Sequence, residues 1–310
     1  MAKRKRKKKP EIRVTPAGIA GTVLVLLFLT VYCVWAYQLT GTVFPTMELI
    51  DGRANFRFVN VGQGDCTLVT HHGDGILIDA GTESAGKRAA EYVRMYSPTV
   101  DYFIVTHPHE DHMGGAAEVL RTVKVECLVL PTDTSDEEFY REALMTAELL
   151  GVEILYVTED ITLTTEHLTA EIVDMSGVVS DDMNDRSLIT KITADGYTLL
   201  ATGDAEAPAE NDLLTHHADI LDADLLKVGH HGSSSSSGAE FLAAVSPDTA
   251  VISCGRNNTY GHPAYEVTER MKEMGITIRR TDYDGTVVLR TGMTLEEWVK
   301  SLAGSLKIGK

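Results

Sequence analysis

Three histidines and two acidic residues lie within six consecutive positions of the chain. They are His107, His109, Glu110, Asp111 and His112, and they follow directly on an apolar segment with the pattern of a strand. Imidazole nitrogens and carboxylate oxygens are ligands that zinc, manganese and iron accept in proteins. Because a strand end delivers neighbouring side chains to one point, the spacing predicts a metal centre in which alternate residues of an extended loop face one ion or a second.

The elements that position this segment alternate between strand and helix patterns. Two-residue periodicity and β-branched residues predict strands at 56–61, 66–70, 76–79, 102–106, 127–131, 154–157, 168–173, 188–194, 198–202, 225–228, 250–253, 277–279 and 286–289. Helical spacing predicts helices at 85–96, 114–121, 137–150, 208–216, 239–244 and 264–274. Meanders mixed with alternating strand and helix units indicate an α/β fold, with mixed sheets that carry helices on their outer faces.

Short segments rich in glycine, histidine and acidic residues recur in a fixed order across residues 53–290. They are Phe58–Asp65, Leu77–Gly81, the histidine run at 106–115, Asn184–Leu188, Leu200–Glu206, Leu226–Ser233 and Asn258–Pro263. In this order they resemble the metallo-β-lactamase fold hydrolases, and within them the extracellular domain of ComEC-type competence proteins. The resemblance implies an αββα sandwich of two mixed sheets. It does not extend to the polytopic channel of the competence proteins.

The resemblance also implies a centre of two divalent metal ions. The first ion would be held by His107 and His109, with Asn184 as the candidate third ligand, the second by Asp111, His112 and His230, and Asp204 would bridge them. Asp79 and Asp65 would lie behind these ligands, where Asp79 would accept a ring N–H from a ligand histidine and fix its orientation. The residues alone leave another interpretation open, in which Asp79 is a carboxylate at a strand-ending turn and Asp204 is a helix N-cap.

One ligand position departs from the wider fold. Many relatives have a histidine where this chain has Asn184, and an amide oxygen is a harder and weaker ligand than imidazole. The first ion would therefore be held less tightly, which makes manganese as plausible as zinc. His167 is the nearest upstream alternative, but it lies in a polar stretch and is expected to be exposed.

The implied chemistry is hydrolysis. Two cations about 3.5–4 Å apart can lower the pKa of a bridging water and neutralise charge on a phosphoryl oxygen. The candidate catalytic residues are Asp204 between the ions, Asp111 to orient the water, and His231 and His262 to hold a phosphate oxygen or protonate the leaving group. Ser233 and Ser234, in a glycine-bounded run of serines, are candidates for substrate contact. His262 has a structural alternative, since it precedes Pro263 and would then shape the start of a helix.

Charge restricts the substrate. Residues 38–310 carry 20 basic and 44 acidic side chains, a formal charge of −24, which disfavours broad electrostatic binding of polyanions. Arg256, Arg279 and Arg280 are candidates for a small basic patch. The leading hypothesis is a phosphodiesterase or nuclease, with single-stranded DNA as one substrate. The alternatives are an acyl hydrolase, such as a lactonase or β-lactamase, and a non-catalytic accessory protein of DNA uptake beside a separate channel protein.

The beginning of the chain has the pattern of a membrane anchor. An unbroken basic run at Lys3–Lys9 precedes Ala17–Tyr37, which contains no charged side chain, and about 20 apolar residues suffice to cross a bilayer. The predicted order is a basic cytoplasmic tail at 1–16, a transmembrane anchor at 17–37, a linker at 38–52, an extracellular hydrolase domain at 53–290 and an amphipathic helix or tail at 291–310. Cleavage of the anchor as a signal peptide, giving a secreted protein, is the alternative.

The cysteines do not indicate a disulfide framework. Cys33 lies in the predicted anchor, which leaves Cys66, Cys127 and Cys254, an odd number. Cys66 and Cys254 each lie in an apolar stretch. We therefore expect buried free thiols that pack as small hydrophobic side chains.

Overall fold

A computed structural model describes Phe28 and residues 53–291, and the latter build two seven-stranded sheets. In spatial order the first sheet contains β14 (Val287–Arg290), β1 (Asn55–Phe58), β2 (Thr67–His71), β3 (Asp74–Ile78), β4 (Thr99–Ile104), β5 (Lys124–Leu130) and β6 (Glu153–Tyr156). The strands from β14 to β3 are antiparallel, and those from β3 to β6 are parallel. Strand β14, the last strand described, is therefore the edge strand of this sheet and pairs with β1.

The second sheet has the same mixed character. In spatial order it contains β13 (Thr277–Arg280), β12 (Thr249–Ile252), β11 (Leu225–Lys227), β10 (Tyr197–Ala201), β9 (Ile189–Ala194), β8 (Leu168–Val173) and β7 (Ile161–Thr164). The strands from β10 to β13 are parallel, whereas those from β7 to β10 are antiparallel.

Eight α-helices occur within residues 53–291, and four short 3₁₀ turns accompany them. The helices are α1 (Gly86–Tyr96), α2 (Glu110–Met113), α3 (Ala116–Thr122), α4 (Glu138–Leu150), α5 (Ala207–His216), α6 (Ala239–Val245), α7 (Tyr265–Glu273) and α8 (Thr281–Asp284). The 3₁₀ turns are Glu83–Ala85, Met183–Arg186, Ala218–Ile220 and Gly229–Gly232. Helix α4 ends at Gly151, whose left-handed φ of 69° suits a residue without a side chain.

The alternation of side chains along the strands creates three apolar layers. On β3, Ile76 and Ile78 join a cluster formed by both sheets, whereas Leu77 between them packs with residues of α1 and α3. On β11, Leu225 belongs to the layer between the sheets, and Leu226 packs with residues of α5 and α6. These three layers make an αββα sandwich, which confirms the predicted α/β fold of two mixed sheets flanked by helices.

The structure differs from the sequence prediction in three places. The segment after β4 is not a wholly extended loop, because Glu110–Met113 forms the helical turn α2. Strand β7 was not predicted, since it is a four-residue strand at the edge of the second sheet with every second residue exposed. The one-turn helix α8 was not predicted either, because so short a segment has no periodicity to detect.

The predicted buried thiols are confirmed. Cys66, Cys127 and Cys254 are free and buried, and burial raises the pKa of Cys127 to about 11 and that of Cys254 to about 12.

Apart from Phe28, the predicted anchor at 17–37, the basic tail and linker around it, and the predicted helix after Thr291 lie outside the described residues. Within the part that is described, we find no helix that combines the length and hydropathy required to cross a membrane.

Candidate metal centre

The predicted site residues come together at the carboxyl ends of strands from both sheets. Four segments follow directly on such ends: Asp79 after β3, the segment 106–113 after β4, Asp204 after β10 and His230–His231 after β11. Asn184 lies on the 3₁₀ turn that precedes β9. Because parallel neighbours end at the same edge of a sheet, residues far apart in the chain meet at one point.

Four side chains form the core of this centre. Asp111, His112, Asp204 and His231 each contribute one ligand atom to a group whose members lie within 4.8 Å of one another. His112 Nε2 is 3.1 Å from Asp204 Oδ1, and His231 Nε2 is 3.1 Å from Asp111 Oδ2 and 3.5 Å from Asp204 Oδ2. Two imidazoles and two carboxylates in this arrangement form a donor set that zinc or manganese accepts.

A second group of donors lies beside the four-residue core. His107 Nε2 is 2.9 Å from His109 Nδ1, and the rings of His107 and His112 are 4.2 Å apart. Asn184 and His109 line the same cleft as Asp204. Among the described histidine, cysteine and acidic residues, however, His107 and His109 belong to no group of three or more as close as that of Asp111, His112, Asp204 and His231.

Unsatisfied polar atoms fit a cation at this place. Asn184 Oδ1, His112 Nε2 and Asp204 Oδ1 are buried without a hydrogen-bond partner, although the latter two are only 3.1 Å apart. A buried polar atom without a partner costs about 1–3 kcal/mol. Divalent ions bound here would accept the lone pairs of these atoms, so the chemistry of the donor set matches the predicted metal centre.

Of the two consecutive histidines, His231 and not His230 lies in the four-residue core. His230 and His231 both have left-handed backbone conformations, with φ of 45° and 52°, and the turn directs their side chains apart. His231 joins the four-residue core, whereas His230 Nδ1 lies 2.6 Å from Glu206 Oε1 and its Nε2 lies 3.8 Å from Asp204 Oδ2. The structure therefore favours His231 as the ligand that the sequence predicts at His230.

Asp79 supports the core from behind. It accepts hydrogen bonds from the backbone N–H of Thr106 at 2.8 Å and from its hydroxyl at 2.9 Å. His112 Nδ1 lies 2.8 Å from Asp79 Oδ2. A carboxylate bonded to Nδ1 holds the proton there and leaves Nε2 for a metal ion, which is the form of contact that the resemblance implies for Asp79.

A buried ion pair that was not singled out in the sequence lies beside His231, the second histidine of the core. Lys227, at the end of β11, is 2% exposed, and its Nζ lies 2.5 Å from Asp65 Oδ2. The other oxygen of Asp65 is 3.4 Å from His231 Nδ1. The signal in the sequence is a lysine inside an otherwise apolar strand, because a buried lysine requires an acidic partner.

The electrostatics of the centre favour cations. Burial opposes the charged form of His231, but attraction to Asp204 and Asp65 is stronger and raises its pKa to about 10. Burial likewise opposes ionisation of Asp204, yet His112 and His231 hold its pKa well below the ordinary value. For His107, burial and the neighbouring His112 lower the pKa. Positive charge is thus drawn to the carboxylates, where a metal ion would replace protons.

The centre forms the floor of a cleft of about 420 Å³. It is lined by Gln63, Thr82, His109, Glu110, Asp111, Asn184, Asp204, His230, His231, Tyr260 and His262. None of these residues is a lysine or an arginine. Burial and His230 lower the pKa of His262, whose ring lies 6.3 Å from that of His231.

Other predicted residues lie away from the cleft. Ser233 and Ser234 do not line it, and Ser233 Oγ bonds to Ser235 Oγ at 2.7 Å within its own loop. The predicted basic patch is not formed by Arg279 and Arg280, since they pair with Asp284 at 3.0 Å and Asp282 at 2.8 Å respectively.

Two further residues, Arg256 and His167, also lie outside the cleft. The ring of His167 is only partly exposed and bonds to Asp74, at the amino end of β3, opposite the end at which Asp79 lies.

Three curated relatives are competence proteins. ComE operon protein 3 of Bacillus subtilis is 30% identical over 88% of this chain and 35% of its own length. Recombination protein 2 of Haemophilus influenzae is 31% identical over 74% of the chain and 28% of its own length, and competence protein ComA of Neisseria gonorrhoeae is 30% identical over 75% and 32%. The chain thus spans about a third of the length of these relatives.

Solved structures agree in fold. The metallo-beta-lactamase fold protein YhfI from Bacillus subtilis has a TM-score of 0.51 at 13% identity, over 76% of this chain and 99% of that one. CmlA, a diiron beta-hydroxylase from Streptomyces venezuelae, has a TM-score of 0.51 at 15% identity, over 76% and 54%. Residues 59–256 match the family described as the metallo-beta-lactamase superfamily. With that match, the αββα fold and the histidine and aspartate centre at its strand ends, the chain belongs to the metallo-beta-lactamase superfamily.

Proposed function

We propose that this protein is a metal-dependent phosphodiesterase of the competence-protein branch of its superfamily, acting on single-stranded nucleic acid outside the membrane. The observation that carries the proposal is the buried core of Asp111, His112, Asp204 and His231 at the floor of an open cleft. Hydrolysis is the activity general to the superfamily, and the buried, unpartnered donor atoms support a metal-dependent site.

Two divalent ions would be held by the residues that surround the cleft floor. One would bind the core of Asp111, His112, Asp204 and His231, and the other would bind His107, His109 and Asn184, with Asp204 between them. When bound, such ions supply Lewis acidity, which activates water and neutralises charge on a phosphoryl oxygen. Asp79 would keep His112 oriented while the substrate reacts, and the Ser253 carbonyl oxygen, 2.9 Å from Nδ1 of His231, would do the same for His231.

The cleft selects against long polyanions. Its lining contains Glu110, Asp111 and Asp204 but no basic residue apart from histidine, so positive charge for a phosphate must come from the ions. Affinity for a nucleic-acid strand grows with the number of phosphates that a protein neutralises. A single phosphodiester near the ions, rather than an extended duplex, is therefore the proposed contact.

An aromatic surface at the rim favours a base beside that phosphate. Tyr260 is 71% exposed, and its ring lies 5.7 Å from that of His262 at an interplanar angle of 27°. Stacking of a base on an exposed aromatic ring contributes about 1–3 kcal/mol and does not depend on sequence. His262, between Tyr260 and the core, would contact the phosphate or the leaving group.

Location and partners belong to the same proposal. The uncharged segment at 17–37 after a basic run would anchor the domain with its amino terminus in the cytoplasm, unless it is cleaved and the domain is secreted. Three of the curated relatives are competence proteins. We propose that this protein acts beside a separate DNA-uptake channel.

A metal-reconstitution assay tests the proposal. The purified full chain is stripped of metal, supplied with zinc or manganese separately, and assayed on single-stranded DNA, bis-p-nitrophenyl phosphate and a lactone. We expect phosphodiester cleavage with either ion, stronger with manganese, and its loss in Asp204→Ala but not in His216→Ala, a control at an exposed histidine of α5. Equal turnover by wild type and Asp204→Ala overturns the proposal.

An acyl hydrolase is the second candidate. The cleft lining contains no lysine or arginine. This composition limits binding of polyanions and suits an uncharged ester or lactone. Turnover of the lactone alone in the assay above would establish this activity in place of the phosphodiesterase.

A further inference from the structure

Three histidines lie together at the end of the sandwich opposite the cleft. His71 and His72 stand at the turn between β2 and β3, and His167 stands at the turn between β7 and β8. The two hairpins belong to different sheets. Asp74, at the start of β3, is five residues before Asp79, which places the cluster about 16 Å from the candidate metal centre.

The spacing of the three rings fits a shared ion. Ring centroids are 4.5 Å apart for His71 and His72, 4.8 Å for His72 and His167, and 5.4 Å for His71 and His167. Imidazoles bound to one tetrahedral zinc, with Zn–N of about 2.0–2.1 Å, place their centroids about 5 Å apart. The three rings therefore have the spacing of imidazoles around one zinc, but their donor atoms do not all lie within 4.8 Å of one another, so rotation of side chains has to bring the nitrogens together.

Hydrogen bonds hold two of the rings in a metal-binding tautomer. Asp74 Oδ2 accepts the backbone N–H of His167 at 2.8 Å and lies 3.1 Å from its Nδ1, and the Thr165 hydroxyl donates to the same oxygen at 2.6 Å. His71 Nδ1 lies 3.4 Å from the His167 carbonyl oxygen. A proton held at Nδ1 leaves the Nε2 lone pair for a metal ion.

The remaining groups complete the coordination. Glu166 is exposed, and its Oε1 lies 4.0 Å from His167 Nε2, close to the distance between two ligands of one ion. His72 is exposed as well. The His72 ring is tilted at 41° against the rings of His71 and His167. To share an ion it has to rotate toward the Nε2 atoms of these two residues, and an exposed side chain rotates at little cost in free energy.

We propose that His71, His72 and His167 bind one divalent transition-metal ion, with Glu166 as fourth ligand and Asp74 holding His167 in place. Imidazole-rich sites select zinc, copper or nickel over magnesium and calcium. The ion joins a hairpin of the first sheet to a hairpin of the second. Its role is structural, because no position remains open for substrate once four protein ligands are bound.

Zinc counting tests the proposal independently of any activity. The full chain, stripped of metal and then incubated with zinc alone, is freed of unbound metal and analysed for zinc per chain. We expect His72→Ala and His167→Ala each to retain one zinc fewer than wild type, whereas His216→Ala retains the full number. Equal zinc in wild type, His72→Ala and His167→Ala overturns the proposal, as does uptake that requires millimolar zinc.

A stability measurement separates this site from the centre in the cleft. In a His109→Ala/His112→Ala/Asp204→Ala background the candidate metal centre loses ligands of both proposed ions, so a zinc-dependent rise in melting temperature would come from elsewhere. We expect the rise to persist in this background and to disappear when His72→Ala is added. A rise that is unaffected by His72→Ala contradicts the site, and failure of the phosphodiesterase assay has no bearing on either result.

Discussion

His231 Nε2 lies 3.1 Å from Asp111 Oδ2, which joins the turn after β11 in the second sheet to the helical turn after β4 in the first. The two residues are 120 positions apart in the chain. Their contact closes the core of the candidate metal centre, so the fit of the two sheets against each other determines whether the ligands meet.

The position of His231 rather than His230 in the four-residue core gives the first prediction. We expect His231→Ala to weaken zinc binding in the cleft by about 100-fold or more, because it removes a side chain of the four-residue core, whereas His230→Ala has an effect within about 10–100-fold, the range seen for residues behind the ligands. Competition with a chromophoric chelator measures both affinities. A larger loss in His230→Ala than in His231→Ala would restore the assignment made from the sequence.

The buried pair of Lys227 and Asp65 gives the second prediction. Lys227→Met removes the nearest cation from the buried Asp65 carboxylate and leaves His231 at 3.4 Å, so we expect the free energy of unfolding to fall by up to about 3–5 kcal/mol. Urea denaturation measures this loss. Lys124→Met is the matched control, because Lys124 is 68% exposed and pairs only with the exposed Glu126, and an exposed pair contributes about 0–1 kcal/mol.

The double variant Lys227→Met/Asp65→Asn separates the ion pair from simple packing. Removing both charges leaves no ion buried alone, so we expect the double variant to be more stable than Lys227→Met. A double variant that is less stable than Lys227→Met would mean that the pair itself contributes little.

Much of the fold and of the site followed from local patterns. Strands such as β3 have one face for the neighbouring sheet and one for the helices, and Ile76, Leu77 and Ile78 mark both faces in the sequence. The strand ends before Asp79 and Asp204 could be predicted from the same pattern, whereas the roles of the two carboxylates at a metal centre came from the resemblance to the metallo-β-lactamase fold.

What could not be predicted depends on backbone angles and on long-range pairing. Which of His230 and His231 points inward is decided by two left-handed conformations that no hydrophobic pattern reports. The sequence offers Arg280 as a candidate for a basic patch, but its guanidinium group donates hydrogen bonds to the carboxylate of Asp282, two residues away. In the sequence Lys227 is a residue of a predicted strand, and its ionic partner Asp65 lies 162 positions earlier in the chain. A local pattern does not indicate such a pair.

A glycine behind the centre gives the third prediction. A Cβ at Gly64 would lie 2.3 Å from the carbonyl oxygen of Asp111, and Gly64 has a φ of +134°. We expect Gly64→Ala to displace the Asp111 segment, to destabilise the fold by about 1–3 kcal/mol beyond the cost of its backbone conformation, and to weaken zinc binding.

Gly62→Ala is the control for that experiment. Gly62 also has a positive φ, of +89°, but no atom lies within 4 Å of the place where its Cβ would be. Its substitution therefore adds backbone strain alone, about 1–3 kcal/mol, and leaves the Asp111 segment in place. If both variants bind zinc equally well, the close approach of Gly64 to Asp111 has no part in shaping the centre.

The raised pKa of His231 gives the fourth prediction, for protein freed of metal. Its pKa is about 10 in the folded state, against about 6.5 in an unfolded chain. A group whose pKa is higher in the folded state stabilises the protein fully at a pH below its pKa in the unfolded chain. This stabilisation is lost as the pH rises through its pKa in the folded state. The free energy of unfolding should therefore fall between about pH 6.5 and pH 10.

Comparison with His231→Gln isolates this contribution from other groups that titrate in the same range. We expect a smaller fall in the variant, and a smaller fall in wild type with saturating zinc, because metal binding requires the neutral ring. Parallel curves for wild type and His231→Gln without metal would show that His231 is not held protonated by Asp204 and Asp65.

The exposed ring of Tyr260 gives the last prediction, on the substrate. If a base stacks there, Tyr260→Ala should raise KM for single-stranded DNA by about 5- to 150-fold, the equivalent of about 1–3 kcal/mol, with little change in kcat because Tyr260 lies at the rim rather than in the core. Tyr260→Phe keeps the ring and should behave as wild type. Turnover of methyl p-nitrophenyl phosphate, which has no base, should change far less in Tyr260→Ala. An equal loss on both substrates would assign Tyr260 to the shape of the cleft, through its stacking on His262, and not to recognition of a base.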